Sequence, residues 1–418
     1  MCGLGRYLLG LTWRPKQDEW YMDQMRTRQL WIKIHRYCGL ATLLFLIIAA
    51  VTGCFLCFDK RIDAAINPDL FHRAASGPAL PPALLVTRLE AVRPSLVVKS
   101  FPLNPAPSQN LQVKVGSTDP AAKLGYDEVF LDPGKGRVVG TRQAGPGWDR
   151  QHIVEGIFQF HSTLLAGTWG RWIMGVAAVG WLIGNFVGLY LTLPASRPIW
   201  RKWKKSWLIS RRARFRRFML ELHNASGLWL LIGASVLAFT SVAMNFYDEA
   251  FTPLVEAVSP ARPSPFDGPA IRASRPQKPI GFDAALAKAR VAAAADGLTW
   301  RPAAQSYVAD PNLYGVSFTD NGVINYHWLG PVTYYVDGTS GRLLAPDDPY
   351  HDSAGRKLSR SLYPLHSGEV FGAIGIAIIF LLGLSTTEMC VTGAYTWWKK
   401  RRSRLAMDAA KQLARGAA

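Results

Sequence analysis

Trp31–Phe58, WIKIHRYCGLATLLFLIIAAVTGCFLCF, is the stretch on which the fold turns. From Gly39 to Phe58 it carries no charged residue. At a helical rise of about 1.5 Å per residue that run crosses a hydrocarbon core of about 30 Å. His35 stands at its basic entrance, four residues before Gly39-Leu40. The arrangement returns at Phe218–Tyr247, where His223 stands four residues before Gly227-Leu228. Two more apolar spans, Trp172–Leu193 and Val370–Trp398, are each preceded by a histidine, His161 and His366. The expected frame is four transmembrane helices, each with a histidine at or ahead of its start.

The charge agrees with that frame. The chain has 418 residues and a net charge of +19, which at first suggests nucleic acid. Its location argues otherwise: residues 1–36, 195–217 and 399–418 carry +4, +10 and +6, which leaves −1 for everything else. Four spans place those three segments on one side, so the bias is the positive-inside rule and both termini are expected in the cytoplasm. The basic run Arg211–Arg217 then faces anionic lipid headgroups, and no nucleic-acid partner is expected. The chain opens without the pattern of a cleavable signal peptide, so the first span is expected to act as an uncleaved anchor.

The boundaries follow. Residues 1–30 read as a cytoplasmic arm with Trp13, Trp20 and Tyr21 for the interface, and 31–58 as the first span. Residues 59–160 form the first extracytoplasmic segment, with a helical pattern at Ala83–Val92 and strand patterns at 111–115 and 128–140. Residues 161–194 hold a helix carrying His161, which lies at the membrane surface or bends at Gly167 and Gly170, and then the second span. A basic loop, 195–217, leads to the third span, 218–247. Residues 248–365 form the second extracytoplasmic segment: a Pro-rich linker, an amphipathic helix at 282–295, and strands ending in 333–345. The fourth span is 366–398, and 399–418 is a basic tail.

The halves repeat. Asp132-Pro-Gly-Lys-Gly136-Arg137-Val138-Val139 matches Asp337-Gly-Thr-Ser-Gly341-Arg342-Leu343-Leu344. An Asp that opens a turn closed by Gly, with β-branched or aromatic flanks, makes a hairpin. Helix–domain–helix therefore occurs twice, as parallel repeats. The fold class expected is a membrane α-helical, four-helix transmembrane bundle with two small extracytoplasmic α+β domains.

In this topology His35 and His223 share the cytoplasmic rim, and His161 and His366 the opposite one. Two pairs at two depths suit two bis-histidine haems, whose axial ligands must reach the iron from opposite faces and so from different helices. Gly39, Gly227, Gly167, Gly170, Gly368 and Gly372 would let a flat macrocycle approach the backbone, and Lys33, Arg36 and Arg171 would meet its carboxylates. A single histidine at a membrane rim is ordinarily an interfacial hydrogen-bonding residue; four in a symmetric repeat argue for ligands. His72, His152, His327 and His351 lack metal-ligand spacing and read as solvated, with His152 as the reserve ligand. Glu388, inside the fourth span, reads equally as a proton or quinol contact and as a hydrogen-bonding partner of a neighbouring helix. Cys54 and Cys57 share a helix face, where small apolar packing is the ordinary role and redox activity the alternative. The five cysteines all lie outside the large extracytoplasmic segments, so disulfides do not hold those together. No nucleophile–base constellation or phosphate-binding glycine loop is present, which argues against a hydrolase.

As a set, H35-R-Y-x-G-L with T52-G53, H161-x5-G-x2-G-R-W, H223-x3-G-L-W, L365-H-S-G and T392-G-x-Y-x-W-W-K-K-R-R resemble the PepSY-associated transmembrane-helix family. The two Asp-x3-Gly-Arg hairpins with their preceding helices are similar to its periplasmic PepSY-like domains, and the resemblance covers about residues 30–404. Members with this layout include iron-regulated inner-membrane proteins and ferri-siderophore reductases. The resemblance implies a bacterial inner-membrane protein with two haem b groups on His35, His161, His223 and His366. It implies electron transfer to a periplasmic ferric siderophore or other Fe(III) chelate, releasing Fe(II). Some relatives carry a fused flavin domain; here electrons are expected from a separate cytoplasmic donor or from quinol. The alternative expectation is a haemless PepSY membrane protein that regulates a periplasmic peptidase or assists siderophore transport.

Overall fold

The computed structural model describes residues 15–74, 77–119, 121–122, 124–262 and 280–416, with side chains from residue 25 onward. Trp13, the side chains of Trp20 and Tyr21, and the Pro-rich linker beyond Arg262 lie outside the described residues. The chain divides into two compact units. One comprises residues 1–51, 175–242 and 382–418, and its described residues are mainly helical; the other, residues 52–174 and 243–381, contains the sheet.

Among the described residues, three helices are long and apolar enough to cross a membrane: Met25–Leu56, Gly167–Thr192 and Glu369–Gly416. The first lies within α1 (Pro15–Leu56), which runs 42 residues without a break. A further pair, Phe215–Trp229 and Leu231–Asn245, passes the same test as one bent span, with 70° between its halves. The bend corrects the uninterrupted helix expected over 218–247. Its cause is local. Ser226 donates its hydroxyl to the Leu222 carbonyl (2.8 Å) immediately before Gly227, and a Ser/Gly pair is a recognised place for a helix to bend.

The helical unit packs through small residues. A Cβ on Gly180 would lie 2.7 Å from Thr42 Cγ2, and one on Gly233 2.9 Å from Leu382 Cδ1. Ala177, Ala178, Ala225, Ala234 and Ala238 are buried, and such residues let helix backbones approach where lipid gives no hydrophobic drive. Buried hydroxyls bond within their own helices, as Thr42 does to the Cys38 carbonyl (3.0 Å) and Thr386 to the Leu382 carbonyl (2.8 Å). The exposed aliphatics Leu44, Val176 and Ile232 form the apolar outer surface that a bilayer requires.

In the other unit, the two segments between the spans were expected to build one small domain each. They build one sheet. Its strands are β1 (Leu96–Pro102), β2 (Leu111–Ser117), β3 (Glu128–Leu131), β4 (Val138–Arg142), β5 (Arg301–Val308), β6 (Leu313–Thr319) and β7 (Val332–Asp337). The order β4-β3-β2-β1-β5-β6-β7 is antiparallel throughout and near-symmetric about β1 and β5, which pair Ser100 with Ser306 and Phe101 with Gln305. Each is the first strand of its repeat, so each would be an open edge alone; pairing removes both edges. It also merges the cores. Phe101 packs edge-on against Phe282, and Phe282 against Tyr314, with ring centroids 5.0 and 5.1 Å apart.

The repeated turns match closely. Gly136 donates to the Asp132 carbonyl and Gly341 to the Asp337 carbonyl, both at 2.8 Å. Both glycines have positive φ, 70° and 68°, the region a side chain disfavours. The first turn joins β3 to β4, whereas the second closes on only an isolated bridge, Val336 to Leu343. The helices ahead of the strands, Pro82–Val92 and Gly281–Ala295, lie within a residue of the expected ones.

Arg142 on β4 ties the first repeat to the helix Asp59–Ile66, which follows the first span. It bonds Asp63 at 2.9 Å and Glu128 at 2.7 Å, and the three side chains are 9%, 14% and 7% exposed. Removing the cation leaves two desolvated carboxylates without a counter-charge, each keeping only an amide hydrogen bond, from Asn67 and from Gln112. Arg142→Met is expected to destabilise this unit by about 3–5 kcal/mol, measured by thermal unfolding in detergent, and adding Glu128→Gln should recover part of the loss.

Candidate functional site

The structure brings His35 together with His223, and His161 together with His366. The first pair lies wholly in the helical unit and the second wholly in the sheet-bearing unit. The ring centroids are 6.3 Å apart in both pairs, with the planes crossed at 71° and 65°.

The chain presents these rings in two ways. His35 and His223 lie within long helices, α1 and the first half of the bent pair. His161 and His366 occupy the last turns of shorter helices, Ile153–Thr163 and Ala354–Ser367, just ahead of the next span. The helix carrying His161 neither runs on nor bends at Gly167 and Gly170. It stops at Leu164 and Leu165, both with positive φ (53° and 58°), before the next helix starts at Gly167.

Three of the rings rest on glycines. A Cβ on Gly188 would lie 3.2 Å from His35 Cε1, one on Gly53 3.3 Å from His161 Cε1, and one on Gly393 3.3 Å from His223 Cε1. None of these is a glycine that sequence reasoning assigned to macrocycle approach. Gly39 has open space beside it and Gly227 meets the Met389 side chain, while Gly368 and Gly372 form the turn after His366. The signal was present in the Thr-Gly dipeptides at 52–53 and 392–393.

The hydrogen bonds determine which ring nitrogen is available. His223 Nδ1 lies 3.1 Å from both the Met389 carbonyl and Thr392 Oγ1. Thr392 gives its own proton to the Glu388 carbonyl (3.0 Å), so it accepts from Nδ1–H. That tautomer leaves Nε2 with the lone pair. His161 Nδ1 lies 2.9 Å from Thr52 Oγ1. His35 Nδ1 is buried without a hydrogen bond of normal geometry, beside the Gly184 backbone.

Two imidazoles on opposite sides of one metal, with bonds of about 2.0 Å and ring centres about 1.1 Å behind Nε2, have centroids about 6.2 Å apart. Both pairs have that separation. Among the described residues no group of three or more His, Cys, Asp or Glu could hold a metal ion. Each pair therefore suits a metal that brings its own equatorial donors, as a macrocycle does.

The remaining candidates separate from the pairs. Both nitrogens of His152 are occupied, Nδ1 by Asp149 (2.7 Å) and Nε2 by the Gln143 carbonyl (3.0 Å), so the reserve ligand is a surface residue. His327 pairs with Asp320 and His351 with Asp348, at 2.9 and 2.7 Å. The His72 backbone bridges to Gln109, and its carbonyl accepts from Asn110 Nδ2 (3.0 Å). Glu388 Oε1 is buried without a hydrogen bond. Cys54 and Cys57 are free, and Cys54 Sγ lies 3.4 Å from the Phe380 carbonyl. The charges of Arg36, Arg216 and Arg404, from three helices, lie within electrostatic range of Lys400.

A chain with several membrane-crossing apolar helices, a sheet built from the segments between them, and facing imidazole pairs is a multi-pass membrane protein. It belongs to the family described as the PepSY-associated TM region, whose model matches residues 32–400. No curated protein matches the chain.

Arg171, expected near a cofactor carboxylate, is engaged elsewhere. It donates to the Asn245 carbonyl (2.6 Å) and pairs with Glu249, whose Oε1 also accepts from Trp172 Nε1 at 2.8 Å. The Arg171 guanidinium and then the Trp172 indole hold the Glu249 carboxyl well below its ordinary 4.5, at about 2. A depressed carboxylate contributes stability above its unfolded-state value, and that contribution is lost as pH falls toward the folded-state value. Glu249→Gln should therefore flatten the pH dependence of thermal stability between about 4.5 and 2 while leaving it unchanged between pH 6 and 8.

Proposed function

We propose that this protein is a bacterial inner-membrane di-haem b oxidoreductase. It has four spans with both termini in the cytoplasm and takes electrons from a cytoplasmic donor or from quinol. It passes them to a periplasmic ferric siderophore or other Fe(III) chelate, which releases the metal as Fe(II). The observation that carries this reading is the pair of 6.3 Å imidazole separations with crossed rings. Two such pairs from eight histidines, each taking one ring from each repeat, are hard to account for as interfacial hydrogen bonding. The +20 on the three segments assigned to the cytoplasm supports the orientation.

Each residue has a definite task. His35 and His223 would hold one haem toward the cytoplasm, and His161 and His366 the other toward the periplasm. Haem supplies one-electron exchange between Fe(III) and Fe(II), which is the change the ferric chelate undergoes when it gives up its metal. Gly53, Gly188 and Gly393 let His161, His35 and His223 lie against neighbouring helices. The Thr52 and Thr392 hydroxyls hold His161 and His223 by Nδ1. A haemless peptidase regulator would need none of these arrangements.

The test is a visible spectrum before and after dithionite, with haem counted per chain. The wild type should bind two b-type haems. His161→Ala or His366→Ala should lose about half of the haem and abolish chelate reduction, since a ligand set missing one of two axial donors is incomplete. His35→Ala or His223→Ala should remove the other half. A wild type that binds no haem, or four single variants that all keep two, would overturn the proposal.

A further inference from the structure

The Thr-Gly dipeptides occur at equivalent places in the two pairs. Thr52-Gly53 on α1 receives His161, with the hydroxyl 2.9 Å from Nδ1 and the glycine beneath Cε1. Thr392-Gly393 on the helix Gly372–Gly416 receives His223 in the same way, with the hydroxyl at 3.1 Å. The Met389 carbonyl, four residues before Gly393, is the second acceptor. A ring can reach a carbonyl one turn back only where no Cβ stands between ring and helix, and Gly393 provides that opening. His35 rests on Gly188 in the same fashion, but Val187 precedes that glycine and offers no hydroxyl. Each pair thus contains one histidine clamped by a Thr-Gly dipeptide.

We infer that Thr52 and Thr392 are positioning residues. Each fixes the tautomer and rotation of one imidazole, and thereby sets the crossed ring planes and tunes the metal that the pair would hold. This rests on the haem reading above and goes beyond it. An acceptor on Nδ1–H raises the basicity of Nε2, which favours the ferric over the ferrous state, and it prevents the ring from turning about its bond to the metal. The crossed planes, at 71° and 65°, have a spectroscopic consequence. Near-perpendicular imidazoles leave the iron's π orbitals almost degenerate. A ferric low-spin centre then gives a highly anisotropic, large-g paramagnetic resonance signal, not the rhombic set of parallel rings.

The experiment compares wild type with Thr52→Val, Thr392→Val and the matching serine variants. All are purified as full-length chains and read by potentiometric titration and low-temperature paramagnetic resonance. The two centres are assigned beforehand from the single-histidine variants. Both wild-type haems should give the large-g signal. Thr52→Val should raise the midpoint of only the His161–His366 centre and Thr392→Val that of only the His223–His35 centre, each with a change in its own resonance signal. Haem should be lost from the affected pair about ten-fold more readily. Serine keeps the hydroxyl and should restore wild-type values. Should a valine variant lose its haem entirely, the serine variant decides: recovery supports the clamp, and equal loss overturns it. Valine variants with unchanged midpoints and signals, or a shift in the wrong centre, also overturn it. A wild type without haem is a different outcome, because it removes the haem reading itself.

Discussion

The constraint on which the rest depends is where a histidine can put its Nδ1 proton inside an apolar helix bundle. Water is absent there, and helix carbonyls are already engaged with their own i+4 amides. A second bond to such a carbonyl needs the ring to lie flat on the helix, and a Cβ would block it. At Gly393 the obstacle is missing, and the Met389 carbonyl and Thr392 hydroxyl both reach Nδ1 of His223. Gly53 likewise lies under His161, where the Thr52 hydroxyl meets Nδ1, and Gly188 lies under His35. In both pairs the rings stand 6.3 Å apart.

Duplication explains why there are two such places. In each repeat, the glycine seat on the second long helix lies 27 residues beyond the histidine ahead of that helix, Gly188 from His161 and Gly393 from His366. Within the first repeat, His35 of the first long helix rests on Gly188 of the second, and His161, on the short helix ahead of the second, rests on Gly53 of the first. The imidazole pairs themselves join the repeats. So does the sheet, where β1 of one repeat meets β5 of the other. Neither repeat alone has a complete pair or a sheet without an open edge.

Much of this was legible because it is local. Uncharged runs, the placement of Lys and Arg, and the Asp-x3-Gly-Arg turns are set by solvation and by the allowed backbone angles of a few neighbouring residues. The paired histidines were legible too, since a helix rises a constant amount per residue and rings at the same depth are candidates for meeting. The glycine seats were not. The sequence contains 37 glycines, and nothing local separates Gly39, beside open space, from Gly53, beneath an imidazole. The bend at Leu230 was missed for a similar reason: Ser226-Gly227 permits a bend without requiring one.

The sequence by itself determined which segments are apolar enough for a membrane, where the small α+β repeats begin, and which four histidines stand at the starts of those segments. These follow from hydrophobicity, period and turn chemistry along the chain. Tertiary structure alone decided that the two soluble segments share one sheet, that Arg171 turns to Glu249 and the Asn245 carbonyl, and that the imidazole planes cross at 71° and 65°. Those outcomes depend on which edge finds a partner, which cation finds a carboxylate and which ring finds a gap. Each is a contact between residues distant in the chain, which no window of neighbouring residues contains.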